Sequence, residues 1–348
     1  MKPVEQQKLF LSVQELIEQA QQRVVKNINL IMVATHFQIG RMIVEDEQGG
    51  QTYAAYGKAT VRKLSEHLTE RFGRGYSADN LELMRIFYLE YRNSESLSRI
   101  SQAGHTNSES LIRNLAAEFS LSWTHYIRLL KVKDTDERKF YELESTVNNW
   151  SVRELQRQIN SSYYERLALS RDKDAVRKLA QEGQLLERST DVLKSPFILE
   201  FLDLKEDNRY SENELETAII NKLEHFMLEL GKGFLFEGRQ RRITLDRDHF
   251  WVDLVFYNRL LKCFVLIDLK IGKLTHQDIG QMQMYVNYYD RKVKTTDELP
   301  TLGIILCKED NRSVVEFTLP LDNEQIFSKE YKLYLPSKEE LKKQIDLL

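Results

Sequence analysis

The sequence predicts an α+β protein of two domains: an all-α N-terminal domain and a C-terminal α/β domain with a mixed central sheet. Apolar residues recur at helical spacing through most of the chain before Leu169. After Ser211, apolar runs of strand length alternate with helical segments. A chain of 348 residues can bury two cores. We therefore expect a helical domain over residues 1–172, a connector over 173–210 and a second domain over 211–348.

The composition is that of a soluble globular protein, with 42% hydrophobic and 30% charged residues. The net charge of -3 excludes a binder of nucleic acid that relies on overall charge, so contacts with phosphates would come from local patches. Both cysteines, Cys263 and Cys307, lie in apolar runs and are expected to be buried thiols. No secretory signal or apolar run of membrane-spanning length is visible, so we expect a cytoplasmic protein without a membrane partner.

The helical domain contains two predicted helices joined by a tight turn. The first runs from about Lys58 to Phe72 and ends at a glycine, and Ser77 is an N-cap for the second. This is the outline of a helix-turn-helix. Arg74 and Arg85 would meet phosphates or base edges if the second helix enters a groove. The alternative is that these arginines only solvate a helical surface, since acidic residues dilute the patch.

Two apolar strands, Trp251 to Tyr257 and Lys262 to Lys270, are predicted to form a hairpin. Each strand carries at least one charged residue within its apolar run. Because side chains on a strand alternate between its faces, Asp268 and Lys270 point to one side and Leu269 to the other. A structural ion pair would account for Asp268 and Lys270 alone. Asp253 on the neighbouring strand adds a second carboxylate, and together they indicate a site for Mg²⁺, for which Mn²⁺ can substitute.

These residues resemble a family. The order V-D-L, I-D-L-K and a following helix is similar to the PD-(D/E)xK nuclease superfamily, and most closely to the YhcG-like proteins with their N-terminal helical domain. The matching motifs are G-R-Q at 238–240, G-Q-M-x-x-Y at 280–285 and G-x-I-L-C at 303–307. Val252 stands where the superfamily has proline, and Asp268 stands where glutamate is common; the superfamily pattern permits aspartate there.

The resemblance implies a restriction-endonuclease-like fold and a metal-dependent DNA endonuclease. It assigns Asp253, Asp268 and the Leu269 carbonyl to the metal, and it assigns Lys270 to the attacking water. Gln281 would support the water or Lys270, and Tyr285 shares its helical face as a supporting residue.

The resemblance also implies a third acid on the amphipathic helix predicted from Glu212 to Leu230, which begins with a capping box of Ser211 and Glu214. Glu216 is the best match because it lies near the apolar stripe, with Glu214 and Glu224 as lesser candidates. The alternative is a solvated glutamate at a helix start, where the macrodipole favours it.

Four arginines precede the hairpin: Arg239, Arg241, Arg242 and Arg247. They could clamp phosphates of nucleic acid, and strand alternation would put Arg239 and Arg241 on one face. A solvated strand edge is the alternative. Further predictions are strands at Thr301 to Cys307 and Val314 to Leu319, and a terminal helix from Lys338 to Leu348.

The leading functional hypothesis is a Mg²⁺-dependent endodeoxyribonuclease whose helical domain selects DNA or recruits a partner. The rival is a DNA-binding or assembly subunit on a nuclease fold that does not cut. A third is a protein-interaction module within a defence or recombination complex. Because cutting both strands of a duplex usually needs two sites, a homodimer is expected. The motif of an ATP-driven motor, G-x-x-x-x-G-K-[ST], is absent from the sequence.

Overall fold

The computed structural model describes residues 3–49, 54–93, 108–169, 178–179, 181–184, 186, 188–194, 196–204, 210–338 and 341. The chain forms two compact units. The first comprises Met1–Arg138 and Ser145–Leu155, and the second comprises Lys139–Glu144 and Gln156–Leu348. Across the described ranges, no helix combines the length and apolar character needed to cross a bilayer.

Eight helices occur in the described part of the chain before residue 170. They are α1 (Pro3–Gly49), α2 (Ala54–Phe72), α3 (Ala78–Tyr91), α4 (Ser108–Glu118), α5 (Trp123–Leu129), α6 (Thr135–Val147), α7 (Val152–Asn160) and α8 (Tyr163–Ala168). The predicted turn between α2 and α3 is confirmed. Gly73 follows α2 with a φ of 89°, and the Ser77 hydroxyl accepts a 3.3 Å hydrogen bond from the Asn80 amide.

The C-terminal half of α1 forms the core of the helical unit against α3. Val33 and Phe37 are fully buried, and the Phe37 ring lies 5.8 Å from that of Phe87. At Gly40 the two helices approach so closely that an added Cβ would lie 2.1 Å from the carbonyl oxygen of Met84. Only glycine fits this contact without a shift of the helices.

The second unit is built on one six-stranded mixed sheet. Its strands are β1 (Phe197–Ile198), β2 (Phe234–Leu245), β3 (Asp248–Asn258), β4 (Cys263–Lys273), β5 (Leu302–Glu309) and β6 (Ile326–Lys332). Their order is β1-β6-β5-β4-β3-β2, with antiparallel pairing from β2 to β4 and parallel pairing from β4 to β1. The predicted hairpin is therefore confirmed.

Helices cover both faces of this sheet. On one face, α9 (Glu212–Asn221) and α10 (Leu223–Leu230) bury Ile219 and Phe226 against Leu254 and Leu269. On the other, α11 (His276–Tyr288) and α12 (Arg312–Thr318) lie over Leu266 and its neighbours. Each strand of the hairpin thus contributes apolar residues to two cores, which explains why its apolar runs are nearly continuous.

Three local predictions are wrong. Val314 to Leu319 belongs to helix α12 up to Thr318, because the Asn311 side chain caps the Val314 amide and outweighs the strand preference of the two valines. Strand β6 went unrecognised because only its Ile326 and Tyr331 are buried. The helix predicted from Glu212 to Leu230 is broken at Lys222, where nothing in the structure explains the break.

Two residues of the connector, Phe197 and Leu202, lie in the core beneath α9 and α10. Of the connector, residues 173–177, 180, 185, 187, 195 and 205–209 lie outside the described ranges, as does most of the predicted terminal helix from Lys338 to Leu348.

A buried ionic cluster lies beside α10, centred on the fully buried Glu229. Its carboxylate accepts hydrogen bonds from the Arg166 guanidinium and, at 2.9 Å, from the Ile198 amide. Burial alone would raise the pKa of Glu229, but Arg166 and Lys194 hold it at about 2. Burial lowers the pKa of Lys194 to about 7, and its Nζ lies over the Tyr163 ring without a hydrogen-bond partner in the described structure.

Candidate active site

The site lies where β3 and β4 separate. Their backbone pairing ends at Leu254 and Ile267. One residue further on, the side chain of Asp253 replaces the missing strand contact, because its Oδ2 accepts a 2.8 Å hydrogen bond from the Leu269 amide. This bond fixes the Asp253 carboxylate against β4 at the position where the strands part.

Asp268 and Lys270 occupy one side of β4, as alternation predicts. Lys270 Nζ lies 2.9 Å from Asp268 Oδ2, and Leu269 is buried in the opposite core. Apart from this ion pair, no described group donates a hydrogen bond to this buried oxygen. Asp268 therefore presents a carboxylate oxygen with spare acceptor capacity in a nearly dry environment.

The charge of Asp253 acts on the buried Asp268. Burial raises the pKa of Asp268 to about 7, and the adjacent charge of Asp253 contributes to the rise, against the ion pair with Lys270. Burial alone would lower the pKa of Lys270, but Asp268 raises it above its ordinary value. Two carboxylates that repel each other at close range form a place where an added cation is electrostatically favoured.

Glu216 is connected to Asp253 through Gln240. The Gln240 amide nitrogen donates to Glu216 Oε2 and, at 3.0 Å, to Asp253 Oδ1. Burial raises the pKa of Glu216, and the hydrogen bond from Gln240 partly offsets this. Of the three acids considered on this helix, the structure brings Glu216 to the aspartates, whereas Glu214 caps α9 through Ser211.

Gln240 is a residue whose site role the sequence did not reveal, although it belongs to the G-R-Q motif. It has a φ of 48°, in the left-handed region that non-glycine residues seldom adopt. This conformation interrupts the alternation of β2. The charge of Arg239 lowers the pKa of Glu216, whereas the charge of Arg241 lowers the pKa of Tyr289. The two arginines therefore face different groups, and the expectation that they share one face of the strand is wrong.

Arg241 is already engaged, because its guanidinium forms a bidentate ion pair with Glu237. Arg239 and Arg242 are exposed. In the helical unit, Arg74 is exposed, and Arg85 is paired with Glu47 at 2.9 Å and Glu82 at 3.0 Å. Arg241 and Arg85 are therefore the members of the five predicted contacts with nucleic acid that acidic side chains already engage, and the roles of all five stay predictions.

Gln281 and Tyr285 lie on one face of α11, as predicted. The Gln281 amide donates to the Tyr285 hydroxyl at 2.7 Å, and that hydroxyl donates to the Trp251 carbonyl at 2.8 Å. Burial raises the pKa of Tyr285 to about 12, with further contributions from the charges of Asp268 and Asp253. Gln281 thus holds Tyr285 near the aspartates, and its amide is directed to Tyr285 and not to Lys270.

Two acids near Lys270 were not anticipated. Lys270 Nζ lies 3.7 Å from Glu212 on α9 and 4.0 Å from Asp278 on α11. Both are first-turn acids, and Asp278 also forms a capping box with Thr275. Nothing in the local sequence indicates that two helix starts meet at one lysine.

The residues fit a hard divalent cation. Asp253 and Asp268 supply carboxylate oxygens, and the buried Asp268 Oδ2 still has acceptor capacity. Within the described ranges, three or more His, Cys, Asp or Glu side chains do not converge as a complete metal cage. This suits Mg²⁺, which is commonly bound by one or two carboxylates together with water and substrate phosphate.

Comparisons with known proteins match both halves of the chain. The model of the "YhcG PDDEXK nuclease domain" matches residues 190–346, and that of the "DUF1016 N-terminal domain" matches residues 12–166. The Escherichia coli (strain K12) protein named "Putative nuclease YhcG" is 40% identical over 338 residues, which cover 94% of this chain and 90% of that protein.

Among solved structures, a repair endonuclease from Pyrococcus abyssi matches 38% of this chain and 50% of its own, at 19% identity and a TM-score of 0.24. A TM-score of this size supports no argument about fold or function.

Proposed function

The chain belongs to the YhcG family of PD-(D/E)XK nucleases, and from this premise we propose that it is a metal-dependent endonuclease acting on DNA. One observation carries the proposal. Asp253 and Asp268 converge beside Lys270 at the point where β3 and β4 separate. A structural ion pair alone would not require the second carboxylate.

Each residue has a distinct part in the proposed hydrolysis. Asp253, Asp268 and the Leu269 carbonyl would hold Mg²⁺ or Mn²⁺, which supplies positive charge beside the scissile phosphate. Lys270 donates hydrogen bonds that orient the attacking water. Glu216 and Gln240 hold Asp253 in place. The water attacks phosphorus in line with the departing 3′ oxygen, the P–O3′ bond breaks and one water proton ends on that oxygen, which gives a 5′ phosphate and a 3′ hydroxyl.

The surroundings of the site support a polyanionic substrate. Arg239 is exposed, and its positive charge lowers the pKa of Glu216, so a phosphate could approach the site along β2. We further propose that Arg242 contacts the phosphate backbone, and that the helical unit contributes Arg74 to DNA selection. Gln281 and Tyr285 would position the water-binding side of the site.

The test is cleavage of linear, supercoiled and branched DNA in Mg²⁺, Mn²⁺ or chelator. Asp253→Asn, Asp268→Asn and Lys270→Met should each reduce cutting by at least about a hundredfold, in the range seen when charged catalytic groups are removed. Asparagine at 253 retains an oxygen that can accept from Leu269, so a loss of activity would report on charge. Asp246→Asn makes the same chemical change at an exposed turn and should cut normally.

Cutting that survives chelation and all three substitutions would refute the proposal. DNA binding without cutting, unchanged in Asp253→Asn, would instead favour the non-cleaving subunit. If cutting appears only when a co-purified protein is present, the helical unit would be a partner-recruiting module. A homodimer with two sites remains the expected form for breaking both strands.

A further inference from the structure

Helix α1 has two apolar faces. Val33 and Phe37 belong to the face buried against α3. A second row of apolar residues, here called the α1 stripe, lies nearer the start of the helix: Val13, Leu16, Ile17, Val24, Ile28 and Ile31. Each of its six side chains is between 46% and 66% exposed. At 3.6 residues per turn, the stripe occupies about one third of the helix circumference, on the side away from Val33 and Phe37.

The spacing of the stripe is that of a coiled coil. Ile17, Val24 and Ile31 are seven residues apart, and Ile28 follows Val24 by four residues, which is the alternation of three and four that gives a heptad seam. A row of six half-exposed aliphatic side chains is more than the scattered apolar residues of an ordinary surface. Its regular repeat indicates a partner that is itself a helix with the same repeat.

The charges along this segment favour a second copy of the chain. Residues 13–31 contain two acidic residues, Glu15 and Glu18, and two basic ones, Arg23 and Lys26. A helix that binds anionic lipid would be rich in basic residues, and a helix selecting a charged partner would carry one sign in excess. In the register that Val24, Ile28 and Ile31 set, Gln14 and Gln21 occupy the seam position equivalent to Ile28, and because both are uncharged, two copies meet without like-charge repulsion in the seam.

Polar side chains of this segment find hydrogen-bond partners within the helix, which leaves the stripe as the part that requires a partner. Gln14 donates to Glu18 at 2.9 Å, and Gln19 donates to Glu15 at 3.2 Å. Both bonds join residues four apart on the same helix. The amides therefore do not depend on a neighbouring chain, whereas the apolar stripe faces solvent in the single chain.

We propose that the α1 stripe is a self-association surface, and that two chains pair through it as a two-helix coiled coil. The proposal rests on the geometry of α1 and is independent of the proposed nuclease activity. It identifies where the two chains of a homodimer would meet.

The test is the molar mass of the full chain in solution, measured by analytical ultracentrifugation between about 1 and 100 μM. The wild type should approach twice 41.1 kDa as concentration rises. Val24→Glu and, separately, Ile17→Glu put a charge in the seam and should weaken dimerisation by at least tenfold. Asn29→Glu adds the same charge at an exposed position on the other side of the helix and should dimerise like the wild type.

Helical content and urea midpoints unchanged by Val24→Glu would show that the variant still folds, so that a loss of mass reports on the seam. A wild type that stays monomeric at 100 μM, or a dimer that persists in both glutamate variants, would overturn the proposal. Monomeric wild type that sediments with anionic vesicles would assign the stripe to lipid instead. Because mass and DNA cleavage are separate readouts, an inactive dimer would support this proposal while refuting the nuclease.

Discussion

Lys194 is expected to make the stability of the C-terminal unit depend on pH. Its ammonium is fully buried beside Glu229, and burial lowers its pKa to about 7 from an ordinary value of 10.5. Between these two values the unfolded chain binds one more proton than the folded chain, so stability rises as pH rises through this window. Below pH 7 the full cost of burying the charge is present. The difference between the two pKa values, at about 1.4 kcal/mol per unit, corresponds to a cost of roughly 5 kcal/mol.

Replacing the lysine by an apolar side chain of similar length should remove this dependence. Lys194→Met is expected to be more stable than the wild type at pH 7, and its advantage should shrink by about 1.4 kcal/mol for each pH unit between roughly pH 8 and 9.5. Glu229 keeps its bonds to Arg166 and Ile198, so the substitution leaves no carboxylate without a partner. Lys222→Met, at a half-exposed lysine, controls for the general effect of removing one positive charge.

The chain contains its own probe for this measurement. Cys263 and Cys307 are the chain's two cysteines, and both are free and buried in the sheet of the C-terminal unit. Urea unfolding can be followed at each pH by brief labelling with a thiol reagent, comparing variant and wild type under matched conditions. A difference in free energy of unfolding between Lys194→Met and wild type that is constant from pH 7 to 9.5 would refute the reasoning.

Three further outcomes are expected. Gly40→Ala should destabilise the helical unit by about 3 kcal/mol through its clash with the α3 backbone. Gly280→Ala has open space around its added Cβ and should raise the free energy of unfolding by about 0.5–1 kcal/mol. Urea unfolding followed by circular dichroism tests both. Gln240→Ala should lower DNA cleavage about 10- to 100-fold without abolishing it, and an unchanged rate would remove the residue from the site. Arg239→Ala should weaken DNA binding and reduce the slope of log affinity against log salt by about one, whereas Arg241→Ala should not; equal effects in a binding titration would contradict the assignment.

The central hairpin was predictable because its signal is local. Apolar runs interrupted by Asp253 and Asp268 fix the strands, and the two-residue period of a strand places Lys270 beside Asp268. The pairing of Glu216 with Gln240 depends on a left-handed backbone residue within β2, which no pattern of hydrophobicity reveals.

Two other features, a buried ion pair and strand β6, could not be predicted from a local pattern because they depend on the tertiary structure. The ion pair of Arg166 and Glu229 joins residues 63 positions apart, and its formation depends on the folded unit as a whole. Strand β6 presents mostly half-buried residues because the fold places it between β5 and the two-residue β1. Such elements are determined by tertiary context, which overrides local propensity.

Through the hydrogen bond from the Leu269 amide, Asp253 contributes to the stability of the fold as well as to the proposed metal site. Any substitution that discards both carboxylate oxygens at this position exposes an unpaired backbone donor next to the apolar core, at a cost of about 1–3 kcal/mol. A chain that lost this residue would therefore also become less stable. Asparagine at position 253 preserves an acceptor while removing the charge, so under the proposed function it would remove cleavage without this loss of stability.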